Sequence, residues 1–202
     1  MSFELLVATN NAHKLHEIRT ILSSYDIKVY GMKDLNISLP EVEENGSTYY
    51  ENALIKARAL QKYSKLPIIA DDSGIEIKSM NNAPGIFSAR YAESFGGHAN
   101  AIKEILKQIE NKDRNAQFVC DIVLLNVKDE PIRFEGIAKG HIAKENNGQG
   151  GFGYDPIFIS DELNKTYASL SEEEKNKVSH RGKALKQLLD YLLANKYITE
   201  AF

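Results

Sequence analysis

Two adjacent carboxylates, Asp71 and Asp72, end the apolar run of "PIIADDSGIEI", Pro67–Ile77. Like charges side by side repel, and burying them unpaired is costly. A metal ion, a lysine or water at the end of a strand would offset that cost, and the carboxyl end of a strand is where open α/β sheets hold ligands. The other reading is a turn at Asp72-Ser73-Gly74 that closes a hairpin into Ile75–Ile77.

Five further stretches carry residue types suited to an anionic, planar ligand or to a cation that would accompany it. In "VATNNAHK" a strand ends at Thr9, and a helix starts with Lys14 in its first turn. Free N–H groups and the positive dipole end of a helix start suit an anion, and Thr9, Asn10 and Asn11 add short polar side chains. Asn52 and Lys56 share a face of a second helix. Just upstream, "LPEVEENG" supplies Glu41, Glu43 and Glu44, oxygen donors of the kind Mg²⁺ prefers. "GQGGFGYDPIF" packs four glycines into six residues ahead of Phe152, Tyr154 and Asp155, which suggests close backbone approach and a ring able to stack on a base. "SHRGKAL" gathers a hydroxyl, His180 and Arg181 at another helix start. Each stretch alone also reads as an ordinary cap, turn or solvated face.

The elements that must position these groups follow from periodicity. Phe3–Ala8 reads as a buried strand, Asn11 to about Ser24 as a helix, and Ile27–Gly31 as a second strand. The capping box Thr48-x-x-Glu51 starts a helix that runs to about Tyr63. Pro67–Ala70 is the strand that ends in the carboxylates. His98–Ile109 is an amphipathic helix, and Ala116–Val127 and Ile132–Ala143 form a hairpin across "KDEP". Ser171-x-x-Glu174 caps a short helix, and Leu185, Leu188, Leu189 and Leu192 mark the closing one. Early β-α alternation with a late hairpin predicts a mixed α/β sheet with flanking helices.

Composition narrows the class. In 202 residues, 43% hydrophobic and 26% charged describe an ordinary globular chain, and a net charge of −3 offers no basic footprint for nucleic acid. A single cysteine, Cys120, excludes an internal disulfide and cysteine-rich zinc sites. The opening residues lack the pattern of a signal peptide, and no run approaches a membrane span. The expectation is a cytoplasmic protein. There is no P-loop, no G-x-S-x-G elbow at Ser73, and no Asp-x-Asp after the first strand.

Taken together, "TNNAHK", "TYYENALIKA", "ADDSG", "PGIFSARY", "GGFGYDPIF" and "SHRGKAL" resemble, in the same order, the motifs of the inosine triphosphate pyrophosphatase family. The resemblance implies one catalytic domain over 1–202: a mixed, twisted α/β sheet with flanking helices, in two lobes around a central cleft. It implies a homodimer and Mg²⁺-dependent hydrolysis of non-canonical purine nucleoside triphosphates (ITP, dITP, XTP) to the monophosphate and pyrophosphate. By position, Thr9, Asn10, Asn11, Ala12, His13 and Lys14 would hold the triphosphate, with Lys56 contributing. Asp72 would be the general base and a metal ligand, with Glu43 as the second acidic ligand, and Ser73 would touch substrate. Phe152, Gly153, Tyr154, Asp155, Lys175, His180 and Arg181 would line the nucleoside pocket. Asn10 stands where many members have glycine, and Tyr49 where Phe is frequent. A pyrophosphatase for another nucleotide class, or a non-catalytic nucleotide sensor, would share many of these features. Loss of the acidic pair or of Lys14 would mark the sensor, and both are present.

Overall fold

A computed structural model describes residues 1–39 and 41–200. In chain order the regular elements are β1 (Phe3–Val7), α1 (Ala12–Leu22), β2 (Ile27–Gly31), α2 (Tyr49–Leu60), β3 (Ile68–Ile77), β4 (Ala83–Pro84), α3 (Ser88–Ser94), α4 (His98–Gln108), β5 (Asn115–Leu125), β6 (Ile132–Ile142), β7 (Phe158–Ser160), α5 (Glu172–Val178) and α6 (His180–Ala194). The strands form one mixed sheet in the order β2-β1-β3-β5-β6-β7, with β4 paired to β3. β1 runs parallel to both β2 and β3, whereas β4 and β7 pair antiparallel to β3 and β6. The mixed α/β class expected from the sequence is the one observed. No helix among the described residues is long and apolar enough to cross a membrane.

The chain divides into two compact units. Met1–Asp72, Cys120–Gly136 and Ala184–Phe202 make the first, and Ser73–Val119 with Ile137–Lys183 make the second. In the first unit both sheet faces are covered, which is why its strands read as continuous apolar runs. Leu5, Val7, Ile69, Cys120 and Ile122 join one core with Ile18 and Leu22 of α1 and with the leucines of α6. Leu6, Ala8, Ile68, Ala70 and Val123 join the other with Ala53, Ala57 and Leu60 of α2. The second unit holds its own core, with Ile75 and Ile77, α4, Phe118, Phe158 and Tyr167 among its members.

Of the two readings left open at the carboxylates, the turn fails. No hairpin turn forms at Asp72-Ser73-Gly74: β3 runs unbroken from Ile68 to Ile77. Gly74 serves close packing there, since an added Cβ would overlap the Gly85 carbonyl oxygen. The Ser88 hydroxyl, bonded to the Gly85 carbonyl at 2.6 Å, accepts from the Ile75 N–H at 3.0 Å and secures the same approach. Smaller differences lie at helix ends: Asn11 is the cap of α1 rather than its first residue, and α2 ends at Leu60.

Candidate active site

Strand alternation explains why two aspartates are needed in the first unit. Successive residues on β3 point to opposite faces. Asp71 follows Ile69 onto the α1 face, where its Oδ1 is 3.4 Å from Lys14 Nζ. Asp72 follows Ala70 onto the α2 face, where its Oδ1 is 3.6 Å from Lys56 Nζ. Each helix therefore contributes one lysine to one carboxylate. The Cys120 thiol, on the Asp71 face, is 3.7 Å from Asp71 Oδ2.

Lys56 also meets Glu44, at 2.9 Å. The loop that carries Glu44 is fixed to α2 at its start. The Gly46 N–H donates to Asn52 Oδ1 at 2.8 Å and the Ser47 N–H to Glu51 Oε2 at 2.6 Å, while the Thr48 hydroxyl accepts from the Glu51 N–H at 3.1 Å. Glu51 thus reaches one residue further back than a standard capping box would. Glu43, the member of the acidic pair chosen from sequence, is exposed, and Glu44 is the one that reaches Lys56.

The electrostatics of this cluster suit a base and a cation. Burial raises the Asp72 pKa above the ordinary carboxylate value, Glu44 and Asp71 push the same way, and Lys56 and Lys14 oppose them without cancelling the rise. Burial alone would lower the Lys56 pKa, but Asp71, Asp72 and Glu44 outweigh it and hold the ammonium charged. Three carboxylates face two ammoniums, a formal balance of −1. Asp72 Oδ2 is buried and receives no hydrogen bond among the described residues. An orphaned acceptor beside an excess carboxylate fits a divalent cation. Among the described residues, no three acidic, His or Cys side chains form a ligand group by themselves.

At the start of α1, Asn11 Oδ1 accepts from the His13 and Lys14 N–H groups at 3.0 and 3.1 Å, and Thr9 Oγ1 accepts from the Asn11 N–H at 3.1 Å. Asn10, Asn11, Ala12 and His13 are exposed, with Thr9 and Lys14 partly covered. The stretch expected to hold an anion is a capped helix start open to solvent.

The second unit gathers the remaining residues around Phe152. Asp155, buried, accepts from the Phe152 N–H at 3.0 Å and from Lys175 Nζ at 2.6 Å. Gly151 takes a left-handed φ of 67°, and a Cβ there would overlap the Asp155 carboxylate, so this loop closes only on glycine. Lys175 Nζ lies 4.8 Å from the Phe152 ring centre, and the Arg181 guanidinium 5.8 Å from it. Arg181, 1% exposed, donates to Ser73 Oγ at 3.0 Å. Tyr154 is an anchor: its hydroxyl donates to the Ser88 carbonyl at 2.6 Å, its ring meets His98 edge-on at 5.0 Å, and burial raises its phenol pKa. The next residue back, Gly153, packs beside His98 with φ 64°. His180 is buried, its ring stacked on Phe118 at 4.4 Å.

Sequence reasoning named Glu44 but preferred Glu43, and it missed the Lys14 partnership of Asp71 and the ring contacts of Tyr167 and Phe118. Alternation along β3 carried a signal for Asp71. Tyr167, a lone aromatic in the polar "NKTYAS", and Phe118, inside a strand, carried none beyond core packing.

Against known proteins, a model of the Ham1 family matches residues 5–191, a span that contains every site residue named above. The chain belongs to the Ham1 family. It is 42% identical over 204 aligned positions to the dITP/XTP pyrophosphatase of Coxiella burnetii, covering 98% of each chain. It is 40% identical to the dITP/XTP pyrophosphatase of Clostridium perfringens, covering 94% of this chain and 97% of that one. A solved Ham1 protein structure from Coxiella burnetii superposes with a TM-score of 0.82 at 41% identity, covering 95% of this chain and 99% of the other. The six motifs thus pointed to the right family. Asp72 of the first cluster and Ser73 of the second are neighbours in the sequence.

Proposed function

We propose that this Ham1 chain is a house-cleaning nucleotide pyrophosphatase that hydrolyses ITP, dITP and XTP to the monophosphate and pyrophosphate. The observation that carries the reading is the split of Asp71 and Asp72 across β3, one onto Lys14 and the other onto Lys56 and Glu44. Identity near 40% with dITP/XTP pyrophosphatases supports the substrate class.

Water attacks the α-phosphorus, its proton passes to Asp72, and the bond to the β-phosphate oxygen breaks with pyrophosphate leaving. A raised pKa makes Asp72 a stronger base than an ordinary carboxylate, and proton transfer of this kind is worth roughly 10²–10⁴-fold in rate. Lys14 and Lys56 stabilise charge on the phosphate oxygens. Asp72 and Glu44 would hold Mg²⁺, which when bound neutralises phosphate charge and polarises the attacked phosphorus.

The cluster of the second unit takes the base. Hypoxanthine and xanthine present a keto acceptor at C6, which donors from His180 or Arg181 satisfy. Adenine presents an amino donor and meets a donor clash. Phe152 offers the stacking face, held by Lys175 and Arg181. The working protein is a cytoplasmic homodimer on this reading, support for which is the family resemblance.

The test is pyrophosphate release from ITP, XTP, dITP, GTP and ATP, with and without Mg²⁺. We expect the first three to be preferred and Mg²⁺ to be required. Asp72→Asn should bind ITP and lose nearly all turnover; retention of more than about a tenth of kcat would refute the base assignment. A flat nucleotide profile would refute the substrate class.

A further inference from the structure

We infer that Phe118 and Tyr167 are positioning residues for base recognition, holding the His180 imidazole in one plane and so setting the discrimination between 6-keto and 6-amino purines. The inference rests on the reading that the second unit's cluster takes the base. Three rings from distant parts of the chain lie nearly parallel. Phe118, on β5, is 4.4 Å from His180 at 9° and 5.5 Å from Tyr167 at 10°. Tyr167, in a short 3₁₀ turn, is 6.3 Å from His180 at 2°. Phe158 of β7 meets Phe118 and Tyr167 edge-on, at 4.6 and 4.9 Å, and blocks their rotation.

An imidazole at a helix start turns about its Cβ–Cγ bond with little resistance. Parallel rings restrict that rotation, so the ring nitrogens keep one direction. Discrimination by hydrogen bonding needs such fixed donors, because a donor that swings away from adenine no longer rejects it. Tyr167 reaches a second member of the cluster as well: Lys175 Nζ lies 5.7 Å from its ring centre and 4.8 Å from that of Phe152. The rings of Phe118, Tyr167 and Phe158 are otherwise core residues, and removal of one would ordinarily lower stability alone. Orientation adds a specific consequence, a change in substrate ratio without a matching loss of chemistry.

The experiment compares Phe118→Leu, Tyr167→Leu and Tyr167→Phe with wild type, using ITP and ATP. We expect each Leu variant to narrow the ITP-over-ATP ratio of kcat/KM by about tenfold, through a higher KM for ITP, a lower KM for ATP or both, with kcat for ITP within about threefold of wild type. Tyr167→Phe keeps the ring and should keep the ratio. Folded Leu variants with ratios within about twofold of wild type would overturn the inference. Arg181→Ala is the control for the underlying reading. If it narrows the ratio while the Leu variants do not, the positioning role alone falls; if it too changes nothing, both readings fall. Should the Leu variants not fold, the wild-type protein decides by NMR. His180 ring protons, assigned by His180→Gln, should be shifted upfield by the stacked faces, and unshifted signals would overturn the proposed stack.

Discussion

Replacing Asp121 by Asn tests how the doubly covered sheet of the first unit tolerates a charge. Asp121 lies on β5 two residues before Val123, on the α2 face, and is 1% exposed. Its Oδ2 is 2.8 Å from Arg133 Nη2, and the same nitrogen is 2.7 Å from Glu135 Oε2. The Arg133 guanidinium lies over the Tyr50 ring of α2 at 5.5 Å. Burial, then a hydrogen bond with Glu135, raises the Asp121 carboxyl from 3.8 to about 7 against the pull of Arg133. The folded protein therefore keeps a proton that the unfolded chain releases between those two values. Stability falls as pH rises through that window, by at most about 1.4 kcal/mol per pH unit, and levels off above it. From pH 5.5 to 7 the ceiling is about 2 kcal/mol. Arg133 and Glu135 are half open to water, and screening brings the figure to roughly 1 kcal/mol. In a protein of this size that is about 2–4 °C in Tm. Asp121→Asn keeps the shape and cannot titrate. We expect wild-type Tm to fall about 2–4 °C more than the variant's between pH 5.5 and 8, measured by scanning calorimetry. Groups outside the Asp121–Glu135 pair titrate alike in both proteins, so the difference isolates that pair. Curves parallel to within about 1 °C would refute the reasoning.

Three more perturbations follow from the same geometry. Asp71→Asn removes the carboxylate that holds Lys14 and should raise KM for ITP about tenfold, with a smaller effect on kcat than Asp72→Asn; equal losses would mean that the two faces do not differ in role. Glu44→Gln should weaken apparent Mg²⁺ affinity on the order of 10-fold or more in a metal titration of activity, and Glu43→Gln should leave it unchanged; the reverse pattern would return the ligand role to Glu43. Gly74→Ala forces a methyl onto the Gly85 carbonyl and should destabilise the protein by about 1–3 kcal/mol in urea unfolding; a neutral result would refute the close approach.

How much of this was legible in the sequence depended on the range of the interaction. Capping at Thr48 and Ser171 is local, and both caps form as side-chain acceptors. "DDSG" was harder. Asp, Ser and Gly together favour turns, and the Gly85 carbonyl that requires Gly74 within a strand lies eleven residues away, invisible to local pattern. Alternation told that Asp71 and Asp72 must face opposite ways, but not that α1 would cover one face and α2 the other. Glu43 and Glu44 could not be ranked because the loop's direction is set by Asn52, six residues past Gly46. The hydroxyl of Tyr154, a residue expected to line the nucleoside pocket, donates to the Ser88 carbonyl 66 residues away, a contact no local pattern shows. Asp121 gave no sign at all, since its partner Arg133 is across a hairpin.

The run from Ile68 to Asp72 has a parity. Odd-numbered positions feed the α1 face and even-numbered ones the α2 face. Losing or gaining a single residue within it would exchange the lysines of the two aspartates while leaving the composition of the segment nearly intact. It would also present each apolar side chain to the opposite core. Length changes can accumulate in the loop before Ile68 and at the turns beyond Ile77, but between them this strand must change by two or not at all.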